Sequence, residues 1–141
     1  MIETMRWKEG CVELVDQTLL PSELVYKDCR NVEEIAEAIE SLRVRGAPAI
    51  GIAGAFGVVL GAEEIREEKQ EVFLQELEKK FERLAATRPT AVNLFWALGR
   101  MRRVLEQCRS GSVEEIRRRL LAEALKIQEE DKVICRKMGF N

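Results

Sequence analysis

One stretch decides most of the fold of this chain of 141 residues: RGAPAIGIAGAFGVVLGA, at Arg45–Ala62. From Ala47 onward it is the longest apolar run in the sequence, and it falls short of the roughly 20 residues that a membrane-spanning helix needs. Pro48 is tolerated in the first turn of a helix, where its missing N–H would have no partner. Glycine weakens a helix interior unless another backbone or a ligand comes close, and four recur here: Gly51, Gly54, Gly57 and Gly61. We therefore predict a buried, closely packed helix that begins near Pro48.

Amphipathic helices are predicted on both sides of this buried helix. Asn31 can cap the helix before it, and Glu34, three residues on, completes a pattern like a capping box. The expected buried face of that first helix is Val32, Ile35, Ala36, Ile39 and Leu42. A charged stretch at residues 63–71 predicts a helix end and a linker. The third helix then carries a stripe of Phe73, Leu74, Leu77, Phe81 and Leu84.

Two more helices complete the predicted chain. The fourth runs from about residue 91 to residue 108 and is expected to bury Val92, Phe95, Trp96, Leu98 and Val104 or Leu105. Ser112 and Glu115 form a capping box for the fifth helix, and Gly139 is expected to end it. The apolar positions of the fifth helix are Ile116, Leu120, Ala124, Ile127 and Ile134.

The first thirty residues have a different pattern. Val12–Val15 alternates apolar and polar side chains, Leu24–Tyr26 is rich in strand-forming residues, and glycine and proline supply turns. The predicted fold class is therefore mainly α with a small N-terminal antiparallel β element. We assign residues 1–30 to the β element and residues 31–141 to a helical domain.

The composition removes several classes of function. The chain has no histidine, which excludes Ser-His-Asp and Cys-His catalysis and histidine-ligated metals. A net charge of −2 with interspersed signs argues against a nucleic-acid groove or a polybasic membrane patch. Four cysteines without C-x-x-C pairing, at positions 11, 29, 108 and 135, indicate reduced thiols, while a Cys11–Cys29 bridge stays open. Without a signal-peptide pattern, a cytoplasmic protein is expected, with no metal and no cofactor.

Two arginine-led loops are the candidate functional features. In the first, Arg45, Gly46 and Ala47 stand directly before the predicted start of the buried helix. Unpaired backbone N–H groups and the positive end of the helix dipole favour an anion at such a start. In the alternative interpretation, Arg45 and Gly46 only finish the preceding helix, because cations and glycine favour a helix C-terminus.

The second loop is TRPTAVN, at Thr87–Asn93. Arg88 is a candidate anion clamp, Thr90 a candidate cap of the fourth helix, and Asn93 a further polar contact. In the alternative, Thr90 is only a cap and Arg88 pairs with a surface carboxylate. Two such loops in one small domain favour the ligand interpretation, with a small phosphorylated metabolite as the ligand.

Other conspicuous residues favour structural roles. The glycine spacing in the buried helix lacks the order and the preceding strand of a dinucleotide-binding fingerprint. Trp7 and Trp96 are expected in the core, as are the cysteines. Three carboxylates are isolated, without the spacing of an acid–base pair: Asp16, Asp28 and Asp131.

Both loops resemble the two N-terminal signatures of the methylthioribose-1-phosphate isomerase family. The matching segments are VRGAPAIGIA at Val44–Ala53 and TRPTAVNLFWA at Thr87–Ala97, and LVDQTLLP at Leu14–Pro21 extends the likeness. The same superfamily contains ribose-1,5-bisphosphate isomerase and the alpha, beta and delta subunits of the initiation factor 2B exchange complex. The second signature favours the isomerase over the regulatory subunits.

The resemblance implies an aldose–ketose isomerisation in methionine salvage, from 5-methylthioribose 1-phosphate to 5-methylthioribulose 1-phosphate. It makes residues 31–141 the helical substrate-binding domain of a two-domain α/β isomerase. Substrate binding is assigned to four residues: Arg45, Gly46, Ala47 and Arg88. The family's catalytic cysteine and aspartate lie in a C-terminal Rossmann-like half that is absent here, so neither Cys135 nor Asp131 inherits those roles.

We accordingly expect the isolated chain to be inactive and the complete protein to be a homodimer. Its expected ligand is a small sugar phosphate, with neither nucleic acid nor membrane as a partner. A second basic pocket would favour ribose-1,5-bisphosphate isomerase as the alternative. A partner-binding helical face without sugar-phosphate affinity would favour a non-catalytic subunit like those of initiation factor 2B.

Overall fold

The computed structural model describes residues 4–137, and within them the chain forms three strands and five α-helices. The strands are β1 (Met5–Lys8), β2 (Cys11–Val15) and β3 (Tyr26–Cys29), with a short 3₁₀ helix at Gln17–Leu19. The helices are α1 (Val32–Glu40), α2 (Ala47–Glu64), α3 (Gln70–Ala85), α4 (Val92–Cys108) and α5 (Val113–Lys137). The predicted class, mainly α with a small N-terminal antiparallel β element, is confirmed. The division into residues 1–30 and 31–141 stays a prediction.

Helix α2 is the centre of the hydrophobic core. Every residue from Ile50 to Ala62 is buried, and the other four helices pack around it. By length and composition α2 could cross a membrane, but 72% of it is buried inside the protein, as in the core helix of a folded domain. The prediction of a buried helix that begins near Pro48 is confirmed.

Glycines allow the neighbouring helices to approach α2 closely. A Cβ atom at Gly54 would lie 2.5 Å from Leu94 Cδ1 of α4. A Cβ atom at Gly51 would lie 2.9 Å from the main-chain oxygen of Asn93, in the first turn of α4. Both distances are too short for a real Cβ atom, so only glycine fits without a shift. Gly51 therefore sets how closely the N-terminal ends of α2 and α4 approach.

The three strands form an antiparallel sheet in the order β1-β2-β3, and the sheet shares its core with the helices. The core residues from the strands are Met5, Val12, Leu14 and Cys29. The Trp7 ring stacks on Phe56 of α2, with ring centroids 6.0 Å apart and planes 13° from parallel, which confirms a packing role for Trp7. Cys11 and Cys29 are buried free thiols, so no bridge joins them.

Two predicted helix starts are confirmed by their hydrogen bonds. Asn31 Oδ1 accepts a hydrogen bond from the Glu34 N–H at 2.9 Å, and Ser112 Oγ accepts one from the Glu115 N–H at 3.1 Å. The Glu34 carboxylate reaches back to the N–H of Arg30, at 2.7 Å, instead of to that of Asn31. Both caps satisfy amides that a helix start leaves without an intrahelical partner.

Five side chains predicted to be buried are instead exposed, with exposed fractions between 43% and 78%: Leu42, Val92, Phe95, Trp96 and Ile134. Leu42 lies beyond the end of α1, in the loop before α2. Helix α4 is apolar on two faces, and only the face that begins at Leu94 packs against the core. The predicted end of α5 at Gly139 lies outside the described residues.

Candidate functional site

The loops before α2 and α4 meet at one cleft. It has a volume of about 510 Å³ and is lined by Leu42, Arg45, Gly46, Ala47, Ile50, Arg88, Ala91, Val92 and Asn93. All four residues predicted to bind substrate are among these lining residues. They come together because α2 and α4 approach closely at their N-terminal ends, across Gly51.

Arg45 and Gly46 lie at the N-terminal end of α2, not at the C-terminal end of α1. Helix α1 ends at Glu40, and Gly46 is the N-cap residue of α2, with a φ of +93° that glycine adopts readily. A glycine cap places no side chain on the first N–H groups of the helix, so these amides keep their capacity to bind a ligand. The alternative interpretation of this segment, a helix C-terminus, does not hold.

The loop before α4 is held by its immediate neighbours. The buried Thr87 donates a hydrogen bond from its hydroxyl to the Leu84 carbonyl at 2.6 Å, and the Ala91 N–H donates to the Arg88 carbonyl at 3.0 Å. The predicted cap by Thr90 is wrong, because the N-cap residue is Ala91, which has no capping side chain. Helix α4, like α2, therefore begins with N–H groups that no side chain caps.

Arg45 and Arg88 are the two charged side chains of the cleft. Arg45 is exposed and Arg88 is half-buried, and within residues 4–134 neither guanidinium has a hydrogen-bond or ion-pair partner. Arg83, by contrast, is held by two carboxylates, those of Glu33 and Glu40. The predicted alternative for Arg88, a pair with a surface carboxylate, is not found among these residues. Two positive groups with no carboxylate in the lining give the cleft a potential that attracts anions.

A second pocket, of about 400 Å³, shares Asn93 with the cleft. Its lining is Pro48, Gly51, Ile52, Asn93, Trp96, Ile127, Glu130, Asp131 and Ile134. Two hydrogen bonds of 2.6 Å from Arg100 hold the pKa of Glu130 below its usual range. The same guanidinium lies 5.6 Å from the centre of the Trp96 ring. Asp131 thus belongs to this second pocket, which combines apolar walls with two carboxylates.

The cysteines whose side chains are described have packing roles. Cys11, Cys29 and Cys108 are buried and free. Burial raises the pKa of the Cys29 thiol to about 12 and also raises the pKa of Cys108. A thiol that stays protonated is a poor nucleophile. Cys135 lies outside the residues whose side chains are described, and among those that are, no group of three carboxylates or thiols is placed to hold a metal ion.

Sequence reasoning missed the apolar part of the cleft. The helical pattern predicts buried positions for Leu42 and Val92 and places Ile50 inside the buried helix, whereas these three residues and Ala91 line the cleft. A positional signal could have found them, because each lies within four residues of a nominated binding residue. Apolar residues this close to an irregular loop are as well placed to line a site as to fill a core.

The family model of the initiation factor 2 subunit family matches residues 43–141, a range that contains both loops and the whole cleft except Leu42. The chain belongs to this family. Two curated relatives are named as isomerases of pentose 1-phosphates. Methylthioribose-1-phosphate isomerase from Geotalea uraniireducens (strain Rf4) is 48% identical over 138 residues, which are 98% of this chain and 40% of that protein. 5-Deoxyribose 1-phosphate isomerase from Bacillus cereus is 46% identical over 135 residues, which are 96% of this chain and 39% of that protein.

Two solved structures share the fold of this family member. The crystal structure of 5-methylthioribose 1-phosphate isomerase from Pyrococcus horikoshii OT3 is 45% identical with a TM-score of 0.89, over 92% of this chain and 36% of that one. The structure of translation initiation factor eIF-2B, subunit delta, from A. fulgidus is 44% identical with a TM-score of 0.86, over 93% of this chain and 38% of that one. The resemblance noted in the sequence is therefore confirmed. The chain spans about 40% of the length of the curated relatives it matches.

Proposed function

We propose that this chain is the substrate-binding part of an aldose–ketose isomerase and that its cleft binds 5-methylthioribose 1-phosphate. The product is 5-methylthioribulose 1-phosphate, in methionine salvage. One observation carries the proposal. Arg45 and Arg88, which are far apart in the sequence, line one cleft and have no protein partner among the described residues.

The phosphate lies between the two guanidinium groups in this proposal. Each guanidinium offers a planar fork of N–H donors that fits phosphate oxygens. The backbone N–H groups of Gly46 and Ala47 add donors at the positive end of the α2 dipole. Leu42, Ile50 and Val92 add apolar walls beside these charged and polar groups. A volume of about 510 Å³ suits a ligand of this size.

The second pocket supports a sugar without a phosphate at C5. The names of the Pyrococcus horikoshii structure and the Bacillus cereus relative specify a 5-methylthio and a 5-deoxy sugar, each with a phosphate at C1. Ribose 1,5-bisphosphate would need a second cationic site. The adjoining pocket offers Glu130 and Asp131, and its lining contains no lysine or arginine among the described residues. Its apolar walls suit a methylthio group instead.

Catalysis requires groups that the cleft itself does not contain. Moving a proton between C1 and C2 of the sugar needs a positioned acid and base. The nine residues that line the cleft include no carboxylate, no thiol and no lysine. We therefore expect the chain of 141 residues to bind the sugar phosphate without converting it. In the complete enzyme, which the resemblance makes a cytoplasmic homodimer, the acid and base come from outside this cleft.

A second candidate function is regulatory and non-catalytic. It is favoured by the exposed apolar side chains of Val92, Phe95 and Trp96 on α4 and by the similarity to the eIF-2B delta structure. In that case this face of α4 binds a protein partner, and the cleft has no affinity for sugar phosphates.

Calorimetric titration with 5-methylthioribose 1-phosphate tests the proposal. We expect Arg45→Ala and Arg88→Ala each to weaken binding about tenfold or more, because each removes charge-assisted hydrogen bonds to the phosphate. Arg103→Ala is the matched control, since Arg103 is exposed on α4 and lies outside the cleft. Unchanged binding in both cleft variants would rule out the clamp. No binding by the unmodified chain would favour the regulatory function, and tighter binding of ribose 1,5-bisphosphate would favour that substrate.

A further inference from the structure

Two polar side chains are buried among the described residues, and each is connected to one arginine loop. They are Asp16, which is 5% exposed, and Thr87, which is 8% exposed. Thr87 directly precedes Arg88 in the chain. Asp16 is far from Arg45 in the sequence and reaches the first loop only through space. A buried polar group is normally hydrogen-bonded. The hydrogen-bond partners of Asp16 therefore show which segments of the chain it connects.

Asp16 is bonded to Arg43, two residues before Arg45. Asp16 Oδ2 accepts a hydrogen bond from Arg43 Nη1 at 2.6 Å, while Oδ1 accepts from the hydroxyl and the N–H of Thr18 at 2.6 and 3.0 Å. On its other side, Arg43 Nε donates to both carboxylate oxygens of Glu37, at 2.9 and 3.1 Å. The main chain adds a hydrogen bond of 2.9 Å from the Gln17 N–H to the Arg43 carbonyl. Arg43 is thus fixed between the end of β2 and helix α1.

The loop around Arg43 has an unusual backbone. Leu42 has a φ of +61° and Gly46 a φ of +93°, so two left-handed residues stand within residues 41–46. A leucine rarely adopts this conformation, and it persists only where the surroundings fix it. Arg43 lies between these two residues and carries the contacts that connect this loop to the end of β2. Burial alone would raise the pKa of Asp16, but the hydrogen bonds from Thr18 and Arg43 outweigh it and hold the pKa below its ordinary value.

We propose that Asp16 is a positioning residue for the cleft: its ion pair with Arg43 holds the loop so that Arg45 and the N–H groups of Gly46 and Ala47 face the bound anion. This inference rests on the proposed function, since it needs an anion in the cleft. Asp16 does not line the cleft, so its effect passes through the loop. An ion pair adds little net stability compared with packed apolar residues, but its hydrogen bonds fix the relative orientation of the two side chains. A contact that orients a loop requires this.

A double-mutant cycle with 5-methylthioribose 1-phosphate as the probe tests this role. Asp16→Asn keeps the size of the side chain and removes its charge. We expect it to weaken binding about tenfold in the unmodified chain. In an Arg45→Ala background we expect the same change to weaken binding by only about threefold or less, because Arg45 is gone and only the N–H groups of Gly46 and Ala47 are still positioned through Asp16.

Glu78→Gln is the matched control for the cycle. Arg102 donates two hydrogen bonds, of 2.7 and 2.9 Å, to the Glu78 carboxylate, and this ion pair joins α3 to α4 away from the cleft. Glu78→Gln breaks it. We expect this variant to bind the probe as the unmodified chain does. An equal loss of affinity in Glu78→Gln would mean that any lost ion pair weakens binding, and it would contradict the positioning role.

The outcomes separate this inference from the proposed function. If Arg45→Ala leaves binding unchanged, the proposed function fails. If Arg45→Ala weakens binding and Asp16→Asn does not, only the positioning role fails. The same holds if the losses of binding free energy from the two substitutions simply add in the double mutant. Should circular dichroism show that Asp16→Asn does not fold, Arg43→Gln breaks the same pair from its partly exposed side and replaces it in the cycle. If neither variant folds, the pair is structural and the inference is wrong.

Discussion

The two arginine loops reach the same cleft by different means. The loop before α2 is held from a distance, by the pair of Asp16 with Arg43 and by the hydrogen bond from the Gln17 N–H to the Arg43 carbonyl. The loop before α4 is held locally, by the Thr87 hydroxyl on the Leu84 carbonyl one helical turn earlier. The geometry of the first loop therefore depends on the whole fold, whereas that of the second depends mainly on its own sequence.

The largest effect is expected from a change that separates the two loops. Gly51→Ala places a Cβ atom 2.9 Å from the main-chain oxygen of Asn93, so α2 and α4 must move apart. We expect the free energy of unfolding to fall by about 1–3 kcal/mol, the usual result of overpacking. The affinity for the sugar phosphate should fall as well, because Arg45 and Arg88 no longer reach one phosphate. Urea denaturation and calorimetry measure the two effects.

Gly99→Ala is the control for this substitution. Gly99 also lies inside a helix, α4, but nothing stands within 4 Å of a Cβ atom there. Alanine at this position should stabilise the protein by about 0.5–1 kcal/mol and leave binding unchanged. If Gly51→Ala were as stable as Gly99→Ala, the close approach of the two helices would not be what brings the loops together.

Acid should loosen the first loop before the second. Asp16 and Glu37, which hold Arg43, have lowered pKa values, Glu37 through hydrogen bonds from Ser41 and Arg43, while the second loop contains no carboxylate. Groups with lowered folded-state pKa values stabilise the fold above their ordinary values of 3.8 and 4.5. That stabilisation is lost as the pH falls through the lower folded-state values.

Unfolding by urea from pH 7 to pH 3 (a range set by the ordinary carboxyl pKa values) measures this loss. The free energy of unfolding should fall less steeply with acid in Asp16→Asn than in the unmodified chain, because residue 16 then no longer takes up a proton when the chain unfolds. Carboxylates paired elsewhere contribute equally to both proteins, so the difference between the two proteins reports on the cluster of Asp16, Arg43 and Glu37. Identical slopes would show that the Asp16 pair does not stabilise the folded loop.

The sequence reveals what is local and misses what is not. The caps at Asn31 and Ser112 follow from hydrogen-bonding patterns within four residues, and both are confirmed. Arg88 could be nominated because its loop is a local signal before a helix. The pair of Asp16 and Arg43 joins residues 27 positions apart with no repeating pattern between them, so Asp16 is an isolated carboxylate in the sequence.

The exposed side chains of α4 show the same limit. Phe95 and Trp96 belong to one apolar face of α4, which is exposed. Leu94 belongs to another apolar face, which is buried. Only the position of α2, which packs on the Leu94 side, decides which face is buried. Periodicity alone cannot make that choice when a helix is apolar on two sides.

A smaller effect is expected from the local contact of the second loop. Thr87→Val keeps the shape of the side chain and removes the hydroxyl that bonds to the Leu84 carbonyl, at a cost of about 1 kcal/mol in the free energy of unfolding. The Thr87 N–H still donates to the same carbonyl, so we expect the affinity for the sugar phosphate to change less than about twofold. Thr87→Ser, which keeps the hydroxyl, is the control. A loss of affinity as large as that of Asp16→Asn would show that the second loop is not held locally.

The smallest effect concerns the reactivity of two buried thiols. Cys29 ends β3, which pairs with β2, the strand that leads to Asp16. Cys108 ends α4, the helix that follows the loop of Thr87. Burial raises the pKa of both thiols, so each reacts with iodoacetamide only when its surroundings open locally. Peptide mass spectrometry should show Cys29 labelled a few-fold faster in Asp16→Asn, with Cys108 unchanged, whereas Thr87→Val should not favour one thiol over the other. Equal acceleration at both thiols in Asp16→Asn would mean that the ion pair stabilises the whole fold. It would contradict the distinction between a first loop fixed by distant residues and a second loop fixed by its neighbours.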